Sequence, residues 1–233
     1  MREAVIVSTA RTGLGKSYRG SFNNTMPGAL GAHAIKHAVQ RAGVDAAEVE
    51  DVVFGCALQQ GAQDSNIARQ SALLAGLPVS VPGMTIDRRC SSGLMAIATA
   101  AKQVILDGQD IAIGGGVESI SMVQTKAMNV VRDENLRALH PHAYMPMIDT
   151  AEVVGKRYHV SRESQDEYAL QSQQRTAAAQ EAGRFDDEIV PMEATQLVTD
   201  KETGETSDKQ VTCVGDECNR PQTTLEGLQG LKP

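Results

Sequence analysis

Thr85-Ile86-Asp87-Arg88-Arg89-Cys90-Ser91-Ser92-Gly93-Leu94-Met95-Ala96 is the stretch from which the rest of the chain is read. Thr85 and Ile86 end a buried strand, a tight turn carries a cysteine, and a helix begins. From Leu94 the apolar residues Leu94, Ile97, Ala98, Ala101, Val104 and Ile105 recur at helical spacing until Asp107-Gly108 stops them. Cys90 therefore sits at or just before a helix N-terminus, where free backbone N–H groups and the positive end of the helix dipole favour an anion. A thiol so placed loses its proton more easily and becomes a better nucleophile. The small Ser91, Ser92 and Gly93 let a bulky acyl group approach the sulfur.

Working outward, residues 3–8 form a short β-branched run and predict a buried strand. Thr25 can cap a helix with Pro27 in its first turn and Gly43 at its end. Residues 51–56 predict a second strand, residues 66–75 a helix, and residues 110–117 a strand after the Cys90 helix. Residues 3–117 thus alternate strand and helix, which predicts an α/β fold with a mostly parallel sheet covered by helices. Ligands in such sheets gather at the C-terminal strand ends, where Cys90 falls. After Ser121 the character changes. Residues 150–158 predict a short helix, Ser161 caps a longer one over 162–182 with Gly183 as its stop, and 201–210 reads as a hairpin or surface loop. Short extended segments are expected at 188–193 and 196–198, and a last helix at 222–231.

Composition sets bounds on function. The chain has 233 residues, 41% of them hydrophobic, enough for one large or two modest domains with a real core. No stretch approaches the roughly 20 apolar residues a membrane helix needs, so no membrane partner is expected. A net charge of −7 argues against nucleic-acid binding through a basic face. Trp is absent and aromatics make up 3%, which disfavours an aromatic-lined sugar or base site. Met1 is followed at once by a strand-like run, so neither a signal nor a transit peptide is read there. Four cysteines without framework spacing fit a reduced, cytoplasmic setting.

Several residue types carry chemistry in principle. Cys90 is either a nucleophile or one more small buried hydrophobe, and its place at a strand-to-helix turn after two arginines tips the balance to the first. Cys213 and Cys218 are too widely spaced for half a zinc site, and no metal is expected. Cys56 ends a strand and reads as packed, although it can lie near Cys90 at the same sheet edge. His33 and His37 share a helix face without a third ligand, so a solvated face is the better reading. His140 and His142 sit in a loop, and nothing pairs them with Cys90. Gly114-Gly115-Gly116 lacks a phosphate-loop pattern, and close approach of backbone to the Cys90 turn explains it better.

These residues resemble the thiolases, the acetyl-CoA acetyltransferases and 3-ketoacyl-CoA thiolases. Residues 88–97, Arg-Arg-Cys-Ser-Ser-Gly-Leu-Met-Ala-Ile, look like that family's nucleophile motif, and Gly115-Gly116-Val117-Glu118-Ser119-Ile120-Ser121 looks like its Gly-Gly-Met-Glu-Ser-Met-Ser signature. Further matches are residues 5–12, Asn66-Ile67-Ala68-Arg69-Gln70, residues 150–152 and 161–166, and 183–191. The resemblance implies a thiolase-like layered fold with an inserted loop domain. Residues 1–121 would be an incomplete N-terminal core domain and 122–233 the CoA-contacting loop domain, with a C-terminal core domain absent. It implies a two-step acyl transfer in which Cys90 carries the acyl group as a thioester between CoA and acetyl-CoA or a 3-ketoacyl-CoA. Arg220 corresponds to the arginine against the CoA adenine, and Met147 to the methionine beside the acyl-pantetheine pocket. Pro146 stands where the family often has His. Coenzyme A would be a substrate, with no separate cofactor, and the full-length form a homodimer or homotetramer. The resemblance implies that the Gly-His-Pro histidine that activates the nucleophile and the Cys-x-Gly cysteine that acts as acid and base are supplied by the C-terminal core domain, and no Gly-His-Pro string occurs among these residues. The chain alone is therefore expected to turn over poorly, and to leave an apolar surface uncovered.

Overall fold

Five consecutive buried residues, Asp51–Gly55, make the central strand β1 of the sheet that carries Cys90. The computed structural model describes residues 2–232. Before β1 runs helix α1 (Pro27–Ala42), with proline in its first turn and Gly43 closing it at φ 68°. Its cap position is Met26, not Thr25, and no side chain caps it. Helix α2 (Ile67–Leu74) is capped by the Asn66 side chain, which accepts from the Arg69 N–H. Strand β2 (Gly83–Ile86), helix α3 (Ser92–Lys102), strand β3 (Ala112–Gly116) and helix α4 (Ile120–Val123) follow. The sheet order is β2-β1-β3 and both pairings are parallel, with Gly55 opposite Ile86 on one side and Gly116 on the other. Helices cover β1 from both faces, which is why Val52, Val53 and Phe54 follow one another without polar alternation. Ile35, Val49, Val52, Phe54, Ala68, Ala72, Leu77 and Val81 form the main core, each large one worth about 1.5–3 kcal/mol of burial.

Two expectations are corrected by this sheet. Residues 3–8 belong to no strand, and Val5, Ile6 and Val7 are 74%, 76% and 71% exposed. The run is tied at its ends: Arg2 donates to Gly108 O and Asp110, and Ser8 Oγ to Ala38 O. Its β-branched side chains satisfy strand propensity, but burial needs a neighbouring strand, and none pairs with it among the described residues. The second correction concerns α3. Its period is as read, but Leu94 and Ile97 are 72% and 43% exposed, and Ser92, Ala96 and Ala100 form its buried face. The reason is distance. A Cβ built on Gly114 would lie 2.7 Å from Ile97 Cα, so this helix rides on glycine and can bury only small residues there.

The chain divides into two compact units: residues up to Met128 together with Asp186–Cys218, and Asn129–Phe185 together with the residues from Asn219 on. This differs from a division at residue 121. Asp186–Cys218 packs with the first unit because the hairpin of β4 (Met192–Thr199) and β5 (Thr206–Cys213) contributes Ala194 and Cys213 to a cluster around Phe22. Arg11 also binds Glu188 at 2.7 Å and Asp216 at 2.7 and 3.0 Å, which pins the loop after residue 10 to the segments entering and leaving the hairpin at its open end. Where residues 188–198 suggested two extended segments, β4 is one eight-residue strand, and 201–210 resolves into the turn and second strand of the hairpin. The second unit holds α5 (Glu134–Leu139), α6 (Met147–Arg157), α7 (Arg162–Glu181) and α8 (Leu225–Gln229). Ser161 caps α7 as expected, accepting from Ser164 N–H, and Gly183 follows at φ 65°. Among the described residues no helix is long and apolar enough to cross a membrane.

Candidate active site

Cys90 is exposed and lies two residues before α3, with Ser91 at the cap position. The turn that presents it is closed by its own polar groups. Ser92 Oγ accepts from Arg88 N–H at 2.8 Å and donates to Arg89 O at 2.6 Å, and Ser91 Oγ donates to Arg88 O at 2.9 Å. Arg89 takes a left-handed backbone at φ 51°, its N–H held by Asp87 Oδ1 at 2.7 Å. Gly55 makes room beneath. A Cβ there would meet Ser92 C at 2.3 Å and Gly93 N at 2.4 Å, so the start of α3 rests directly on β1 backbone. The glycine run at 114–116 works one step away: Gly116 backs onto Gly55 O, Gly115 onto the Phe54 ring and Gly114 onto α3.

Behind the turn is a polar cluster that sequence reasoning missed. Gln63 is 0% exposed. Its Nε2 donates to Leu58 O at 2.9 Å, contacts Cys56 Sγ at 3.2 Å and donates to Glu118 Oε1, while its Oε1 accepts from Ser119 N–H. Glu118 Oε2 accepts from Ala57 N–H at 2.8 Å, and Arg89 Nη1 donates to Ala57 O at 3.1 Å. Cys56 is buried, and burial, aided by the Glu118 charge, pushes its thiol up to about 11. At neutral pH it is a neutral, unreactive thiol. The one sequence signal for this cluster was Glu118 inside the glycine-rich signature. Gln63 stood in a polar segment with nothing to mark it.

The other candidate residues separate clearly. Cys213 is buried in the Phe22 cluster, its Sγ against Gly215 O at 3.4 Å, and burial raises its pKa. Cys218 is exposed. The His33 and His37 rings meet in a tilted arrangement, 57° between planes with centroids 4.5 Å apart, and His33 Nε2 lies 3.3 Å from Val190 O. Among the described residues no group of three or more His, Cys, Asp or Glu side chains gathers to hold a metal. His140 and His142 are exposed in the loop after α5. Met147 opens α6 with its side chain exposed, and Arg220 is exposed with its N–H donating to Gln173 Oε1 at 2.8 Å. Both belong to the second unit, Cys90 to the first.

Comparison with known proteins bears on this geometry over nearly the whole chain. Residues 4–233 match the family described as "Thiolase, N-terminal domain". The chain is 45% identical over 238 residues to a 3-ketoacyl-CoA thiolase of Bacillus subtilis, covering 100% of this chain and 59% of that protein. It is 38% identical over 247 residues to an acetyl-CoA acetyltransferase of Cupriavidus necator, covering 100% and 60%. Among solved structures, the Bacillus anthracis acetyl-CoA acetyltransferase superposes with a TM-score of 0.81 at 35% identity, covering 100% of this chain and 59% of that one. The chain thus spans about three-fifths of the length of the relatives it matches. An α/β sheet with a cysteine turn at its C-terminal edge, matched in order from residue 4 onward, places this chain in the thiolase family.

Proposed function

We propose that this chain is the part of an acyl-CoA C-acyltransferase that carries the acyl-accepting nucleophile, Cys90. The Cys90 thiolate attacks the carbonyl carbon of an acyl-CoA or 3-ketoacyl-CoA. A C–S bond to Cys90 forms, and the C–S bond to CoA, or the C–C bond to an acetyl-CoA enolate, breaks. Attack on the resulting thioester by CoA, or by that enolate, returns the thiolate and releases the product. Coenzyme A is the substrate carrier and no further cofactor is involved. Arg220 and Met147 bind CoA: a guanidinium can stack on the base and face phosphate.

The observation that carries this reading is the exposed Cys90 at the closed turn before α3, a place that the other exposed cysteine, Cys218, does not share. Cys90 is presented by a hydrogen-bonded turn, while Cys56 and Cys213 are buried with raised pKa values. These 233 residues alone have little or no turnover: no Gly-His-Pro string stands among them to supply the family's histidine base. The full-length form is a homodimer or homotetramer in a reducing, cytoplasmic setting.

The test is labelling of the purified chain with iodoacetamide, read by peptide mass spectrometry with and without acetyl-CoA. Cys90 is alkylated at least about tenfold faster than Cys56 or Cys213, and faster than Cys218, and acetyl-CoA protects it. Equal, slow labelling without protection would replace the enzyme reading by a noncatalytic acyl-CoA-binding or interaction role. Robust 3-ketoacyl-CoA thiolysis by the same material would overturn the claim that it lacks turnover.

A further inference from the structure

Arg89, the residue immediately before Cys90, holds a left-handed backbone that a non-glycine residue adopts only when its surroundings fix it. Four hydrogen bonds do so: Asp87 Oδ1 on its N–H, Ser92 N–H and Oγ on its carbonyl, and Ala57 O on its guanidinium, which alone ties it to the end of β1. Ala57 is in turn gripped from its other side, its N–H donating to Glu118 Oε2 at 2.8 Å. Glu118 is not free to swing. Its second oxygen accepts from Gln63, a fully buried amide that is itself anchored by Leu58 O and Ser119 N–H. A carboxylate thus holds a backbone amide by a charge-assisted bond, the strong kind, although the residue itself is exposed. Asp87, Arg88, Arg89 and the thiol of Cys56 are the titratable groups around this turn. Cys56 lies 4.0 Å from Glu118 and stays neutral, so it puts no second charge against the carboxylate.

We propose that Glu118, acting through the Ala57 backbone and the Arg89 side chain, is a positioning residue for the Cys90 nucleophile. This rests on the reading of Cys90 as the acyl acceptor. Glu118 does not touch the sulfur; it fixes the residue that aims it. The clamp joins the end of β1, the segment after β3 and the Cys90 turn, three separate parts of the chain. Small displacements of a nucleophile are costly in rate, so the link matters to chemistry more than to stability.

Charge and position predict different outcomes, which makes the proposal testable on the chain as it stands. Glu118→Gln removes a negative charge from the cluster. By charge alone, removing a negative group from the neighbourhood of a nucleophilic thiolate does not slow its alkylation. Loss of the clamp slows it, and we expect about tenfold slower labelling by iodoacetamide at fixed pH. The slowing persists in about 1 M salt, where a charge effect is screened. Arg89→Met slows labelling to a similar extent, whereas Arg89→Lys, which can still donate one bond to Ala57 O, restores it to within about twofold. The double variant Glu118→Gln/Arg89→Met is no slower than either single one, because both break one chain of contacts. Melting temperatures and circular dichroism are recorded alongside. If Glu118→Gln does not fold, the Arg89→Met and Arg89→Lys pair decides, since that side chain is 76% exposed. Unchanged or faster labelling in folded Glu118→Gln, or additive slowing in the double variant, overturns the proposal. If wild-type Cys90 itself labels no faster than Cys218, both the nucleophile reading and the proposal fall; fast wild-type labelling with unaffected variants removes the proposal alone.

Discussion

Gly55→Ala is the substitution that tests most directly how the sheet supports the cysteine turn. An added Cβ would stand 2.3 Å from Ser92 C, 2.4 Å from Gly93 N and 2.5 Å from Ser92 O. Ordinary van der Waals contact begins at 3.4 Å, so the overlap is roughly 1 Å against three atoms at once. All three are backbone at the start of α3, and no side-chain rotation can relieve them. Overpacking of a filled core costs about 1–3 kcal/mol, and the absence of a flexible neighbour puts this site at about 3 kcal/mol. The relief available is a shift of the helix start away from β1, which carries Cys90 with it. We therefore expect a fall in unfolding free energy of about 3 kcal/mol by urea denaturation with an unchanged m-value. Any folded fraction should show Cys90 alkylation slowed by about tenfold or more. A variant within about 0.5 kcal/mol of wild type, labelling at the wild-type rate, would refute the claim that α3 rests on β1 through this glycine.

Three further outcomes are expected. Arg11→Met removes the donor that holds the Asp216 carboxyl below its ordinary value, and costs about 1 kcal/mol because the pair is partly exposed. A depressed carboxylate contributes stability that is present above about pH 4 and lost as pH falls through the folded value; the variant loses less below pH 4, as acid titration of the melting temperature should show. His33 has its pKa lowered chiefly by burial, so stability is complete above its ordinary 6.5 and declines as pH falls below it. His33→Gln should flatten the decline between about pH 7 and 5, and an equally steep profile would remove that assignment. Ile35→Ala, in the main core, should cost about 2–5 kcal/mol, whereas Ile6→Ser in the exposed N-terminal run should cost under about 0.5 kcal/mol and reduce light scattering at high concentration. A large loss for Ile6→Ser would restore residues 3–8 as a buried strand.

What the sequence determined by itself was local and periodic. The alternation of strands and helices over residues 51–117 required a parallel sheet, and the strand-to-helix turn placed Cys90 ahead of a helix N-terminus. Ser161, Gly43 and Gly183 were legible as helix ends because capping and left-handed closure depend on residues next in sequence. The tertiary structure decided what depends on distant neighbours. Residues 3–8 have the propensity of a strand, yet pairing needs a partner that sequence does not name, and they stay exposed. Leu94 and Ile97 have helical period, yet the buried face of α3 is set by how near the glycines of β1 and β3 let it come, and small residues fill that face. Arg11 bridges residues 188 and 216, which carries the hairpin into the first unit. The Gln63–Glu118–Ala57–Arg89 cluster joins positions up to 61 residues apart through side-chain hydrogen bonds, and periodicity carries no trace of such bonds. Cys90 could be picked out from its own surroundings in the chain; what holds it in place is found only in the fold.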